Sequence, residues 1–83
     1  MEVLPAVVKA EYVSEFKIRL TFNDGVAAVV DFSDWLEGPV FEPLRNHDYF
    51  VRFFLEGGTL VWPNGADIAP ETLHARAKAS AAA

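Results

Sequence analysis

Apolar and polar residues alternate strictly along Phe16-Lys17-Ile18-Arg19-Leu20-Thr21-Phe22. This period of two marks a β-strand with one buried and one wet face. Upstream, Val8, Ala10 and Tyr12 alternate with Lys9 and Glu11, and downstream Val26, Ala28, Val30 and Phe32 alternate with Ala27, Val29 and Asp31. The first half therefore predicts three strands. Asn23-Asp24-Gly25 joins the second to the third, with Gly supplying the positive φ of a tight hairpin. The faces select the loop length. A two-residue turn at Asp24-Gly25 sets Ile18 opposite Asp31 and puts an acid on the core face. A three-residue loop sets Phe22 opposite Val26, Leu20 opposite Ala28, Ile18 opposite Val30 and Phe16 opposite Phe32, with Lys17 facing Asp31 outside. A slip of one residue moves every side chain to the other face, so burial decides for three.

The middle of the chain is less regular. Ser33-Asp34-Trp35-Leu36 predicts the start of a short helical turn capped by Ser33, broken at Gly38-Pro39. Val40-Phe41-Glu42-Pro43-Leu44 reads as a turn of helix docking Phe41 and Leu44, and Asn46-His47-Asp48-Tyr49-Phe50 as another. A second hairpin follows, with arms Val51 to Glu56 and Thr59 to Trp62 around Gly57-Gly58. It pairs Leu55 with Leu60 and Phe53 with Trp62 on one face. Arg52, Phe54, Glu56, Thr59 and Val61 lie on the other, partly wet face. The last helix is expected to start near Pro70, whose fixed φ suits a first helical position, and to bury Leu73 and Ala77. From about Ala79 the tail is expected to fray or be disordered. The fold class is α+β: two antiparallel hairpin units with about five strands, short helical turns between them, and a C-terminal helix, all in one domain over residues 1–83.

A chain of 83 residues buries only about 60% of its unfolded surface. With 52% hydrophobic residues and seven Phe, it still builds a core without staples. It has no cysteine, which excludes disulfides and thiolate metal sites. No apolar run has the length of a membrane span, and the N-terminus lacks the pattern of a signal peptide. A soluble, cytoplasmic protein is expected. Seven Lys and Arg stand against twelve Asp and Glu, and the cations are scattered. Direct nucleic-acid binding is therefore not expected.

Candidate chemistry concentrates in Trp62-Pro63-Asn64-Gly65-Ala66-Asp67-Ile68-Ala69-Pro70-Glu71-Thr72-Leu73. Asn64-Gly65 is first a turn, and Asp67 is expected to face the amino end of the last helix. The functional reading makes Trp62, Asn64, Asp67 and Glu71 a polar edge beside an aromatic wall, a candidate interaction surface. His47 and His74 fall on different elements and lack the spacing of a metal pair. The serines lack the setting of a nucleophile, and Gly57-Gly58 lies in a hairpin rather than before a helix. Glu37 with Glu42, or Asp67 with Glu71, are carboxylate pairs suited to a hard cation. Acids near helix starts are equally ordinary. Trp35 and Phe41 are core or rim residues, and mark an interface if exposed together. No catalytic residue, cofactor or metal is assigned.

The order of these parts resembles the family of small domains called domain of unknown function 2442. The matching residues are Leu20-Thr21-Phe22, Asn23-Asp24-Gly25, Asp31-Phe32, Phe50 and, most specifically, Trp62-Pro63-Asn64-Gly65-Ala66-Asp67 with Pro70-Glu71 and Leu73. The resemblance implies a compact, mostly bacterial α+β domain. Some members carry a helix-turn-helix domain, which this chain is expected to lack, and many are encoded beside another small protein. That neighbourhood invites comparison with toxin–antitoxin pairs. One departure is Ala69, a position often polar in the family and able to cap the helix; Ala cannot, which leaves Asp67 or water for the task. The expected function is a non-enzymatic protein-interaction module, one component of a two-protein system, partnered by a small protein from a neighbouring gene. The alternatives are a small-ligand sensor with Trp62 in the wall of its pocket, and a metal-assisted hydrolase using Asp67, Glu71 and His47.

Overall fold

The computed structural model describes residues 4–35, 39 and 41–82. Met1, Glu2, Val3 and Ala83 lie outside the described residues. So do Leu36, Glu37, Gly38 and Val40, and with them the expected break after Trp35 and the Glu37–Glu42 pair. The elements run β1 (Val7–Ser14), β2 (Lys17–Phe22), β3 (Ala27–Asp31), a 3-10 turn (Glu42–Arg45), α1 (His47–Phe50), β4 (Phe54–Glu56), β5 (Thr59–Val61) and α2 (Pro70–Ala82). The fold is α+β, as the alternation predicted. β1, β2 and β3 form one antiparallel sheet in that order, and β4 and β5 form a second. The two sheets touch where the Val7 N–H donates to the Gly58 carbonyl at 2.8 Å.

The first hairpin has the register that burial required. Lys17 pairs with Asp31, Ile18 with Val30 and Leu20 with Ala28. The Phe22 N–H donates to Val26 at 2.8 Å and the Phe32 N–H to Phe16 at 2.8 Å. Ile18, Leu20 and Phe22 are buried, whereas Phe16, also expected inside, is half-buried at the rim.

β1 departs from simple alternation. Its register slips between Val7 and Lys9, so Val7 is buried opposite Phe22 while Val8 is 58% exposed. A second irregularity between Tyr12 and Ser14 leaves Val13 outside. A bulge sets two residues opposite one and twists the strand. On an edge strand that also carries Lys9 and Glu11, bulges discourage the addition of another chain.

After β3 residues 33–35 form a turn rather than a helix. Asp31 Oδ1 accepts from the Ser33 N–H at 2.9 Å, and the Trp35 N–H donates to Phe32 at 2.9 Å. The side-chain acceptor in this turn is thus Asp31, not Ser33. Leu44 on the 3-10 turn is fully buried and Phe41 half-buried. α1 is a single turn whose cap is Asn46, accepting from the Asp48 N–H at 3.0 Å.

In the second hairpin Leu55 pairs with Leu60 and Glu56 with Thr59, leaving the expected two-residue turn. Gly57 and Gly58 both take positive φ, 61° and 77°, the combination that matches a hairpin's twist. Its first arm is shorter than expected, because Val51 and Arg52 belong to the turn that leaves α1. Leu60 and Trp62 are buried, but Leu55 is on the surface. Thr59, expected on a partly wet face, is buried, and its hydroxyl donates to the Ile68 carbonyl, which passes over that face.

Three rings form the centre of the core. Phe32 and Phe50 lie 6.0 Å apart, Phe50 and Trp62 5.9 Å, and Phe32 and Trp62 6.4 Å. α2 packs along β3 and buries Leu73 and Ala77 against this centre. Polar contacts hold the helix to the sheet: His74 Nε2 lies 2.7 Å from Asp24 Oδ2, Arg76 Nη2 donates to Asp34 Oδ2 at 2.9 Å, and Ser80 Oγ donates to the Val29 carbonyl at 2.8 Å. The stretch from Ala79, expected to fray or be disordered, continues the helix to Ala82 because Ser80 is tied to the edge strand.

Candidate functional site

The 62–66 segment repeats the turn of the first hairpin. In residues 22–26, the Gly25 N–H donates to Phe22 at 3.0 Å and Asp24 Oδ1 accepts from the Val26 N–H at 3.0 Å. In residues 62–66, the Gly65 N–H donates to Trp62 at 2.9 Å and Asn64 Oδ1 accepts from the Ala66 N–H at 3.1 Å. Trp62 N–H also donates to Ala66 at 2.9 Å, as Phe22 does to Val26. Both glycines have φ near 90°, at 90° and 88°. The shared pattern is an aromatic residue, a spacer, Asp or Asn, Gly and an aliphatic residue. It is a three-residue hairpin loop with a left-handed glycine. The chain then doubles back, and Asp67 makes an antiparallel bridge to Val61.

Trp62 is the anchor of this loop rather than part of its face. It is 1% exposed, and its indole N–H donates to the Phe50 carbonyl at 2.8 Å. Asn64, Asp67 and Glu71 are exposed. The expected cluster of four therefore divides into one buried support and three surface side chains.

Asp67 does not cap α2, which corrects the expectation from sequence. The Ala69 carbonyl accepts from Thr72 at 3.0 Å and from Leu73 at 3.1 Å, while Pro70 has no N–H to satisfy. Backbone groups close the helix start, and among the described residues the Asp67 carboxylate has neither a hydrogen bond nor an ion pair.

Beside this face lies an open apolar pocket of about 220 Å³ lined by Trp35, Phe41, Ile68 and Thr72. The indole lining this pocket is that of Trp35, not Trp62, and it packs in a T-shaped contact with Phe32 at 5.1 Å. The Arg76 guanidinium covers the Trp35 ring at 4.2 Å. Each described lining residue has an acid next to it in the chain: Asp34 before Trp35, Glu42 after Phe41, Asp67 before Ile68 and Glu71 before Thr72. Asp34 is taken up by Arg76, whereas Glu42, Asp67 and Glu71 form no ion pair among the described residues. Ile68 and Thr72 were not singled out from sequence. Their place in the pocket depends on where α2 meets the turn after β3.

Both imidazoles meet partners within the fold. His47 Nε2 is hydrogen-bonded to the Tyr12 hydroxyl, with the rings 5.5 Å apart and edge-on. The same hydroxyl meets the Glu15 carbonyl at 3.1 Å. His74 stands edge-on to Phe22 at 5.0 Å and meets Asp24. Among the described residues no three His, Asp or Glu side chains converge as metal ligands. His47, Asp67 and Glu71, the trio of the hydrolase alternative, are not brought together. The Val26 N–H holds the Asp24 carboxyl below its ordinary 3.8, aided by His74. The Ser33 N–H and hydroxyl do the same for Asp31, with Lys17 adding to the effect.

A three-stranded sheet clasped by one helix and braced by a short second hairpin defines a small α+β domain with an acidic, partly apolar face. The chain belongs to the family described as protein of unknown function DUF2442, whose profile matches residues 7–79. No curated protein and no solved structure matches it. Among the described residues no helix is long and apolar enough to cross a membrane.

Proposed function

We propose that this protein is a non-catalytic protein-interaction module, cytoplasmic, and one component of a two-protein system of toxin–antitoxin type. Its contact surface is the rim formed by Asn64, Asp67 and Glu71, and its partner is a small basic protein encoded by a neighbouring gene. One observation carries this reading: exposed polar side chains project from a segment whose backbone is pinned beneath them by buried Trp62. A rigid display of this kind lowers the ordering cost of association. The net charge of −5 suits a basic partner through complementary potential. Nucleic acid is not the partner, because dispersed cations give no electrostatic footprint, and Lys9 and Arg76 are already paired with Glu11 and Asp34.

The test is a pull-down of the neighbouring gene product by the parent and by the triple variant Asn64→Ala, Asp67→Asn, Glu71→Gln. The parent is expected to retain the partner and the variant to lose it while staying folded, melting somewhat below the parent because Asn64→Ala removes the acceptor of the Ala66 N–H. Equal retention would remove this surface. The small-ligand sensor is a second reading, favoured by the apolar pocket. At about 220 Å³ that pocket falls below the roughly 300–1,000 Å³ of typical small-molecule sites, so the sensor ranks behind the interaction module.

A further inference from the structure

We infer that the pocket between Trp35, Phe41, Ile68 and Thr72 receives one apolar side chain from a basic segment of the partner protein. The inference rests on the interaction-module reading and supplies its binding mode. Size comes first. An engineered apolar cavity of roughly 150 Å³ holds a benzene molecule, so about 220 Å³ suits a single aromatic or branched aliphatic side chain. Charge comes second. Glu42, Asp67 and Glu71 are exposed, and each is the chain neighbour of a lining residue, Phe41, Ile68 and Thr72. Arg76 pairs with Asp34, whereas Glu42, Asp67 and Glu71 form no ion pair among the described residues. An apolar pocket whose lining residues have exposed acids as chain neighbours, in a chain of net charge −5, matches a Leu, Ile, Phe or Trp flanked by Lys or Arg. Apolar anchors in a pocket with a charged rim are the usual energetic centre of a protein interface. Support comes third. Trp35 is braced by Phe32 on its edge and by Arg76 on its face, so the wall is in place before binding.

The experiment selects random displayed peptides on the purified protein and measures the affinity of the enriched ones by fluorescence anisotropy. Enriched peptides are expected to carry one large apolar residue among Lys and Arg, and to bind more weakly as salt is raised. Thr72→Trp, which fills the pocket from an exposed helical position without changing charge, is expected to weaken them about tenfold or more, the loss typical of a displaced anchor. Thr72→Gln is expected to weaken them less, and both variants to melt with the parent. Failure to enrich any peptide, enrichment of acidic or wholly polar ones, or unchanged binding to both Thr72 variants overturns the inference. Peptides that lose affinity for the Asn64, Asp67 and Glu71 triple variant but bind Thr72→Trp like the parent overturn the pocket alone and leave the interaction module standing. A neutral small molecule that fills the pocket without displacing the peptide also overturns it.

Discussion

The indole N–H of Trp62 donates to the carbonyl oxygen of Phe50 at 2.8 Å, and both residues are buried. This bond joins the loop that displays the candidate surface to the short helix on the other side of the core. Trp62→Phe is expected to cost about 1–3 kcal/mol by leaving that carbonyl unpaired. Trp62→Ala adds a cavity and is expected to cost about 3–5 kcal/mol. A small domain has only about 5 kcal/mol or a little more in total, so the alanine variant is expected to be largely unfolded. Urea titration followed by circular dichroism measures both, and a Trp62→Phe variant as stable as the parent would remove the hydrogen bond from the account.

The twin turns give a matched pair of substitutions. A Cβ built on Gly25 or Gly65 meets nothing within 4 Å, so only backbone strain at φ 90° or 88° opposes alanine there. Gly25→Ala and Gly65→Ala are each expected to destabilise by about 1–2 kcal/mol. Asparagine at either position is expected to cost less, because it tolerates left-handed angles. Unequal costs at the two glycines would show that the turns are not energetically equivalent.

Acid should loosen the first hairpin. The Asp24 and Asp31 carboxyls are held below 3.8 in the folded protein, by the amides of Val26 and Ser33 first. A depressed folded value means that the stabilisation is fully present above the unfolded value and is lost as pH falls through the folded one. The urea midpoint is therefore expected to hold at mildly acidic pH and to fall below about pH 4. Asp24→Asn and Asp31→Asn are each expected to flatten that fall, and a double variant with the parent's acid profile would exclude these two carboxyls as its cause.

Asp67 is a test of position rather than charge. Its backbone bridges Val61, while among the described residues its carboxylate makes no hydrogen bond or ion pair. Asp67→Asn is expected to change stability by no more than about 0.5 kcal/mol, as at an ordinary surface site. A loss above about 1 kcal/mol would restore the capping role. Differential scanning calorimetry distinguishes the two.

Local pattern determined much of this molecule. Alternation in residues 16–32 contained both the strands and their register, because only a three-residue loop keeps Ile18 inside and Asp31 outside. Gly57-Gly58 and Pro70 marked a turn and a helix start by backbone preference alone. The same logic was available at Trp62-Pro63-Asn64-Gly65-Ala66, which repeats the spacing of Phe22-Asn23-Asp24-Gly25-Val26, yet the following strand is a single bridge at Asp67, too short to show a period. Tertiary structure decided the rest. The bulge that buries Val7 and exposes Val8 follows from how β1 meets Gly58 and Phe22, contacts that no local window contains. Thr59 is inside because the Ile68 carbonyl crosses above it. Trp35, Phe41, Ile68 and Thr72 form one pocket only because α2 docks against the sheet, joining side chains far apart in the chain. Periodicity reports which face of an element is buried, but a pocket forms where several elements meet, and that depends on packing.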